Sequence, residues 1–209
     1  DARGHLLRNK GNAVFEDVTA NSSVADIRGS REALFVDLDH DGDLDLLLVG
    51  GVRNLVYRNN LDGTFTEVGE TMGLAGRAPA RDAAFADFDN DGRIDVVMAT
   101  DSGIALYRNT TAPRRFEDAT TTSGLPSAGS WNTVAVADYD NDGTLDLLVT
   151  RRFGAPELWR NDGIGKFTRD DRSRQALGAL ASIADLHARF VDVNNDGWLD
   201  IVLAGKAGS

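Results

Sequence analysis

The sequence lacks cysteine altogether, and it contains only four prolines and three histidines among its 209 residues. Without cysteine the chain can form neither a disulfide framework nor a thiolate zinc site. It also lacks any apolar run of about 18 residues, the length that a membrane-spanning helix requires. Basic residues are outnumbered, since 22 Lys and Arg face 33 Asp and Glu, and the net charge of −11 argues against nucleic acid as a partner.

The acidic residues are concentrated in four windows of one pattern, D-x-[DN]-x-D-G-x-x-D, which recur about every 50 residues. The windows are DLDHDGDLD at 37–45, DFDNDGRID at 87–95, DYDNDGTLD at 138–146 and DVNNDGWLD at 192–200. Two more markers keep the same period and order: LLRN, VYRN, LYRN and LWRN, and then FEDVT, FTEVG, FEDAT and FTRDD. Three markers that recur in a fixed order indicate an internal structural repeat.

Each repeat has the pattern of short strands joined by tight turns. Apolar runs of strand length flank the acidic windows, and segments such as NLVYRN alternate apolar and polar residues. Four strands in a unit of about 50 residues are typical of a propeller blade, so we predict an all-β fold of the β-propeller type. A linear solenoid is the alternative. The stretch 173–188 lacks the strand pattern, and we expect an insertion or a short helix there.

The propeller region is predicted to cover residues 1–209. It would comprise a half unit at 1–30 and units that start near residues 31, 81, 131 and 185. The last unit would be completed either by the N-terminal half unit or by blades absent from this chain. The first arrangement gives a closed ring of four blades. The second, which we favour, gives a segment of a larger propeller.

The acidic window has the chemistry of a cation site. Side chains at positions 1, 3, 5 and 9 are hard oxygen donors, and position 7 can offer its backbone carbonyl, so its side chain is free to vary. Oxygen ligands in a flexible loop favour Ca²⁺ over Zn²⁺ and Mg²⁺. The twelfth residues are Leu48, Met98, Val149 and Leu203 rather than the glutamate of an EF-hand. Without that bidentate ligand, we expect dissociation constants of about 10⁻⁴ to 10⁻³ M.

The repeats resemble the FG-GAP/VCBS repeats of integrin α-subunit propellers and of many bacterial secreted proteins. The segments DFDNDGRID and LYRNTTAPRRFEDATTTSGL are similar in particular to the cartilage acidic protein (ASPIC/UnbV) group. The resemblance implies a propeller of about seven blades, one calcium ion in each acidic loop and so about four in this chain, and an extracellular or periplasmic setting.

The same resemblance implies a calcium ligand set for each loop, with position 7 acting through its backbone carbonyl. The implied ligands are Asp37, Asp39, Asp41, Asp43 and Asp45; Asp87, Asp89, Asp91, Arg93 and Asp95; Asp138, Asp140, Asp142, Thr144 and Asp146; and Asp192, Asn194, Asp196, Trp198 and Asp200. We expect the fourth site to be the weakest, because Asn194 replaces an aspartate and removes a charge.

Three functions are compatible with this pattern. The one we favour is an adhesion-like extracellular binding module, in which structural calcium holds hairpins whose loops recognise a protein or a glycan. The second is a structural or assembly subunit whose blades pack against further blades or subunits. The third is an enzyme, a lyase or hydrolase with its active site in the propeller channel. The sequence has no nucleophile elbow, HExxH motif or phosphate-binding glycine loop, so we assign no catalytic residue.

Four residues that we expect just before the first strand of each unit differ in type although they occupy similar offsets. They are Arg31, Arg81, Trp131 and His187. A scaffold position would repeat from unit to unit, whereas a recognition position can vary, so these residues are candidates for partner contact. The alternative is an ordinary variable surface.

Overall fold

A computed structural model describes residues 4–24, 29–75, 78–111 and 114–207. In this part of the chain the strands form three four-stranded and two two-stranded sheets, in which all pairings are antiparallel. Consecutive strands lie side by side in every sheet, as in the blades of a propeller. The predicted fold class, all-β with four-stranded blades, is therefore confirmed.

The three complete blades have the same construction. The first blade contains β3 (Ser30–Val36), β4 (Asp45–Gly50), β5 (Leu55–Asn59) and β6 (Phe65–Glu67). The second contains β7 (Ala80–Ala86), β8 (Asp95–Thr100), β9 (Gly103–Thr111) and β10 (Arg114–Asp118). The third contains β11 (Trp131–Ala137), β12 (Asp146–Arg151), β13 (Glu157–Asn161) and β14 (Phe167–Arg169).

Two hairpins make up the remaining sheets, β1 (Leu7–Gly11) with β2 (Val14–Asp17) and β15 (Ile183–Val191) with β16 (Asp200–Ala207). Helices are short: α1 spans Gly69–Met72, α2 spans Arg174–Gly178, and 3-10 turns occupy Thr19–Asn21 and Asp171–Ser173. The stretch 173–188 thus contains the expected short helix, but strand β15 already begins within it. No helix in the described ranges is long and apolar enough to cross a membrane.

The chain divides into two compact units, Asp1–Pro79 and Ala80–Ser209. The first unit contains the β1–β2 hairpin and the first blade. The second contains the second and third blades and the β15–β16 hairpin. Each unit has a core of its own, with Leu46, Leu55 and Tyr57 buried in the first. In the second unit, Phe88 and Trp131 are among the side chains that join the second and third blades in one cluster.

The second strand of each complete blade is buried along nearly its whole length. Every residue of β4 and β8 is buried, as are the first five of β12. These strands have a neighbour on each side and are covered on both faces, which explains why their sequences read as continuous apolar runs rather than as alternation. Because each acidic loop comes directly before one of these strands, its ninth position is the first residue of a buried strand.

Candidate metal centres

Each acidic loop joins the first strand of a blade to the second, and its local sequence determines its shape. The fourth position has φ between 56° and 58° in all four loops, where the residues are His40, Asn90, Asn141 and Asn195. Asn and His tolerate this left-handed conformation better than most residues. Two residues later comes the glycine, with φ between 84° and 95° in the four loops. Such values are difficult for any residue with a Cβ atom, so glycine permits the tight wrap.

The first aspartate of each loop accepts hydrogen bonds from the backbone of the same loop. In the second loop, the amides of Asp91 and Gly92 donate to Oδ1 and Oδ2 of Asp87 over 3.1 and 2.8 Å. The other three loops repeat this pair of contacts. The backbone thereby turns the carboxylate of position 1 toward the inside of the loop.

The ninth aspartate links the loop to the third strand. Asp95 is completely buried, and its two carboxylate oxygens accept the amides of Phe88 at 3.1 Å and Asn109 at 2.8 Å. Burial raises the pKa of Asp95 to about 6, and neighbouring loop carboxylates add to the effect. Asp45 and Asp146 are buried in the same way, and burial raises the pKa of each to about 6 as well.

Three of the four loops bring carboxylates together. Oxygens within 4.8 Å of one another belong to the groups Asp37, Asp39 and Asp41; Asp87, Asp89 and Asp95; and Asp138, Asp140 and Asp146. Such convergence of negative charge is unfavourable unless a cation or a proton neutralises it.

Aspartates of the second and third groups also have carboxylate oxygens that are buried without a hydrogen-bond partner. They are Oδ1 of Asp89, Oδ1 of Asp140 and Oδ2 of Asp146. A buried carboxylate oxygen without a donor is costly, and a bound cation would remove that cost. The donor set is entirely oxygen, which suits a hard divalent ion such as Ca²⁺. The second and third loops therefore fit the implied metal.

The arginine of the marker that ends the third strand also reaches these loops. Arg108 forms an ion pair with Asp89, and the guanidinium of Arg160 lies 3.7 Å from Oδ2 of Asp140. Arg172, which follows β14, is also 3.7 Å from this oxygen. In the sequence this Arg-Asn pair serves only as a marker of the repeat. Its nearly constant offset from the acidic window is the signal that could have revealed its place beside the cation site.

The fourth loop is different. No group of three converging carboxylates occurs there among the described residues, and Asp200 is exposed rather than buried. Its Oδ2 still accepts the amide of Val193 at 3.1 Å. However, β16 pairs only with β15 in the described part of the chain, so no third strand there covers Asp200. Asn194 donates to Asp196 over 2.9 Å instead of contributing a charge of its own.

The side chains at position 7 do not all have the same surroundings, although those of Arg93 and Thr144 each donate to the carbonyl of the marker asparagine in their own blade. The guanidinium of Arg93 donates to the carbonyl of Asn109 at 3.0 Å, whereas the Trp198 side chain is 58% exposed. Their amides do have a common role, because the amides of Asp43, Arg93, Thr144 and Trp198 all donate to the aspartate at position 5. The metal contacts of their carbonyls stay a prediction.

The structure corrects part of the predicted recognition surface. Trp131 is fully buried, with its indole N–H donating to the carbonyl of Ala128 at 3.0 Å and the guanidinium of Arg151 lying 4.1 Å from the ring centre. Its large apolar ring fills the core, so it is not available to a partner. The Arg81 guanidinium is held by Asp101 through two bonds of 2.9 Å, and this pairing lowers the pKa of Asp101 to about 2. Arg31 and His187 are exposed.

Comparison with known proteins gives one family and several distant structures. Residues 37–98, 87–149 and 145–203 each match the model of the FG-GAP-like repeat. No curated protein matches the chain. One similar solved structure is a lectin of Agrocybe aegerita, described by its specific recognition of non-reducing terminal N-acetylglucosamine, with 23% identity and a TM-score of 0.46. Another is the Tc holotoxin pore of Photorhabdus luminescens, with 20% identity and a TM-score of 0.42.

These two alignments cover 82% and 83% of this chain. They cover only 45% of the lectin and 8% of the toxin chain. The chain therefore spans less than half the length of either structure.

Proposed function

Because this chain belongs to the FG-GAP-like repeat family, we propose that it binds calcium in its acidic loops and serves as a calcium-stabilised extracellular recognition module. The observation that carries the proposal is the set of buried carboxylate oxygens without partners at Asp89, Asp140 and Asp146. Each of these aspartates belongs to a group of converging carboxylates in the loop between the first and second strands of a blade. A divalent cation satisfies these oxygens and neutralises the group at once.

In the second loop, the side chains of Asp87, Asp89, Asp91 and Asp95 would hold the ion together with the carbonyl of Arg93. The corresponding set in the third loop is Asp138, Asp140, Asp142, Thr144 and Asp146, and in the first loop it is Asp37, Asp39, Asp41, Asp43 and Asp45. Asp192, Asn194, Asp196, Trp198 and Asp200 would form the weakest site. When bound, calcium supplies positive charge that ties the loop to the third strand through the ninth aspartate.

Stabilised blades present their connecting loops rigidly, which is what a recognition surface requires. Val52 and Phe153 lie between the second and third strands of their blades, with side chains 94% and 73% exposed. Exposed apolar side chains in such loops suit contact with a protein or a glycan. Membership of the ASPIC/UnbV group and a secreted location belong to the same proposal, and they rest on the repeat pattern alone.

The calcium part is tested by isothermal titration of chelator-treated protein with CaCl₂ and, separately, with MgCl₂. We expect heats that fit dissociation constants of about 10⁻⁴ to 10⁻³ M for calcium and weaker binding of magnesium. A matched variant, Asp89→Asn with Asp140→Asn, should lose the signal of two sites. Absence of calcium binding at millimolar concentration would refute the proposal.

The recognition part is tested by applying the calcium-loaded protein to arrays of glycans and extracellular matrix proteins. Binding should weaken in chelator, because the loops lose their support, and it should weaken in a Phe153→Ala variant that still binds calcium. Failure to retain any ligand in calcium would count against a recognition role.

A further inference from the structure

We infer that Asn161 couples calcium binding at the second loop (87–95) to calcium binding at the third loop (138–146), an inference that rests on the calcium-binding role proposed above. Asn161 ends strand β13 in the third blade. In the sequence it is the last residue of the LWRN marker. In the structure it contacts both acidic loops, which belong to two different blades.

The contacts of Asn161 join the two loops directly. Asn161 is 3% exposed, and its Nδ2 donates to the carbonyl of Phe88 in the second loop at 2.8 Å. The same Nδ2 donates to the carbonyl of Leu145 in the third loop at 3.1 Å. Its backbone amide donates to Oδ1 of Asp146, the ninth residue of the third loop, at 2.8 Å. One buried amide group therefore bridges the backbones of two candidate calcium sites.

A second contact runs in the opposite direction. Nδ2 of Asn90, at position 4 of the second loop, donates to the carbonyl of Gly163 at 3.2 Å. The amide of Gly163 in turn donates to Oδ1 of Asn161 at 3.2 Å. The ring of Phe88 meets the ring of Phe167 edge-on, with centres 5.5 Å apart. The turn that follows β13 and the start of β14 thus contact the second loop through polar and aromatic contacts.

These contacts make the two binding events interdependent. Calcium in the third loop would hold Asp146, and Asp146 holds the backbone amide of Asn161. A fixed Asn161 then orders the carbonyl of Phe88, which lies between the ligands Asp87 and Asp89. The second ion then binds to a loop whose backbone is already ordered, so the affinity of that loop for calcium is higher. Linkage requires the effect to be reciprocal.

The expected strength of the coupling follows from the contact of Asn161 with Phe88, which is one buried hydrogen bond between the two blades. Loss of a single such bond changes an equilibrium by about 3- to 10-fold. We therefore expect the second loop to bind calcium about 3- to 10-fold more weakly when the third loop cannot bind it.

Asn59 provides a matched control because it occupies the same marker position in the first blade. Its amide donates to Asp45 at 3.0 Å and its Nδ2 donates to the carbonyl of Leu44 at 3.3 Å. Its Oδ1 accepts the amide of Leu61 at 3.0 Å. All these partners belong to its own blade. Replacing Asn59 should therefore disturb the first loop and leave the coupling between the second and third loops intact.

The experiment is a calcium titration followed by ¹H–¹⁵N NMR, which resolves the loops individually. The amides of Gly92 and Gly143 report the second and third loops, since they donate to Asp87 at 2.8 Å and to Asp138 at 3.0 Å. The titration is run on the parent protein and on Asp140→Asn with Asp142→Asn, which disables the third loop. Both backgrounds are repeated with Asn161→Ala and with Asn59→Ala.

Disabling the third loop should raise the calcium midpoint of Gly92 by about 3- to 10-fold in the parent and in the Asn59→Ala background. In the Asn161→Ala background the midpoint of Gly92 should be the same with and without the third loop. A role of Asn161 in stability alone would leave the coupling present. If Asn161→Ala does not fold, Asn161→Ser provides the same comparison, and the loop-disabled variant decides by itself whether coupling exists.

The outcomes separate the two proposals. If neither glycine amide responds to calcium, the proposed calcium function is wrong. If both respond but the Gly92 midpoint ignores the third loop, calcium binding stands and the coupling is refuted. If coupling persists in Asn161→Ala, the sites are linked by another route and the assignment to Asn161 is refuted.

Discussion

Addition of 10 mM calcium to the chelated protein should raise the free energy of unfolding of the unit Ala80–Ser209 by about 3 to 5 kcal/mol. Of the three acidic loops in this unit, two have a carboxylate oxygen that is buried without a partner, and these two should bind most tightly and dominate the effect. For a site with a dissociation constant of about 10⁻⁴ to 10⁻³ M, this calcium concentration exceeds the dissociation constant by about 10- to 100-fold. Mass action then contributes about 1.4 to 2.7 kcal/mol for each site.

Urea denaturation followed by tryptophan fluorescence measures this change. All three tryptophans, Trp131, Trp159 and Trp198, belong to this unit, and Trp131 is fully buried, so the emission reports its unfolding. The midpoint should move to higher urea in calcium with an unchanged slope. The variant Asp89→Asn with Asp140→Asn provides the control and should respond far less to calcium.

Two results would refute the reasoning. One is an identical urea midpoint in calcium and in chelator, because the carboxylate groups would then bind no ion that matters to folding. The other is an equal shift in the control variant, since the stabilisation would then arise outside the two loops. An equal shift with magnesium at the same concentration would contradict the choice of calcium.

Three further predictions concern the effect of pH, the burial of Trp131 and the calcium affinity of the fourth loop. In chelator, the free energy of unfolding should fall as pH rises from about 4 to about 6. Burial raises the folded-state pKa of Asp95 and Asp146 from the usual 3.8 to about 6, so the folded protein keeps protons that the unfolded chain releases. Urea titrations across this pH range should show the fall, and excess calcium should remove it. Trp131→Ala should cost about 3 to 5 kcal/mol in urea titrations, whereas Phe153→Ala should cost under about 0.5 kcal/mol, and equal effects would contradict the assigned burial. The NMR signal of Gly197 should respond only at higher calcium than that of Gly92, because the fourth loop lacks one carboxylate and its cover; simultaneous responses would contradict this ranking.

Much of the fold followed from local patterns. The repeated windows and short apolar runs predicted an all-β fold of four-stranded units, and the blades confirm that fold class. The FG-GAP-like repeat was likewise predicted from the markers and is confirmed. These features are local, because strand alternation, left-handed loop positions and tight turns are chosen by residues next to one another.

The recognition surface was predicted poorly for a physical reason. Trp131 varies in type among the repeats, and we took variation as a sign of exposure. In the structure the residue fills the core, in a cluster where Phe88 of the neighbouring blade is also buried. Whether a residue near a strand start faces solvent or a neighbouring blade depends on the packing of blades, which a single repeat does not encode.

The sequence by itself determined that this protein has four oxygen-rich loops between short strands, because loop shape depends on nearby glycines, asparagines and aspartates. Only the tertiary structure decided which carboxylates are buried. Asp95 and Asp146 lie beneath a third strand, whereas Asp200 with the same spacing is exposed. It also placed Asn161 between two loops. Burial and cross-blade hydrogen bonds arise from segments distant in the chain, so no local pattern could specify them.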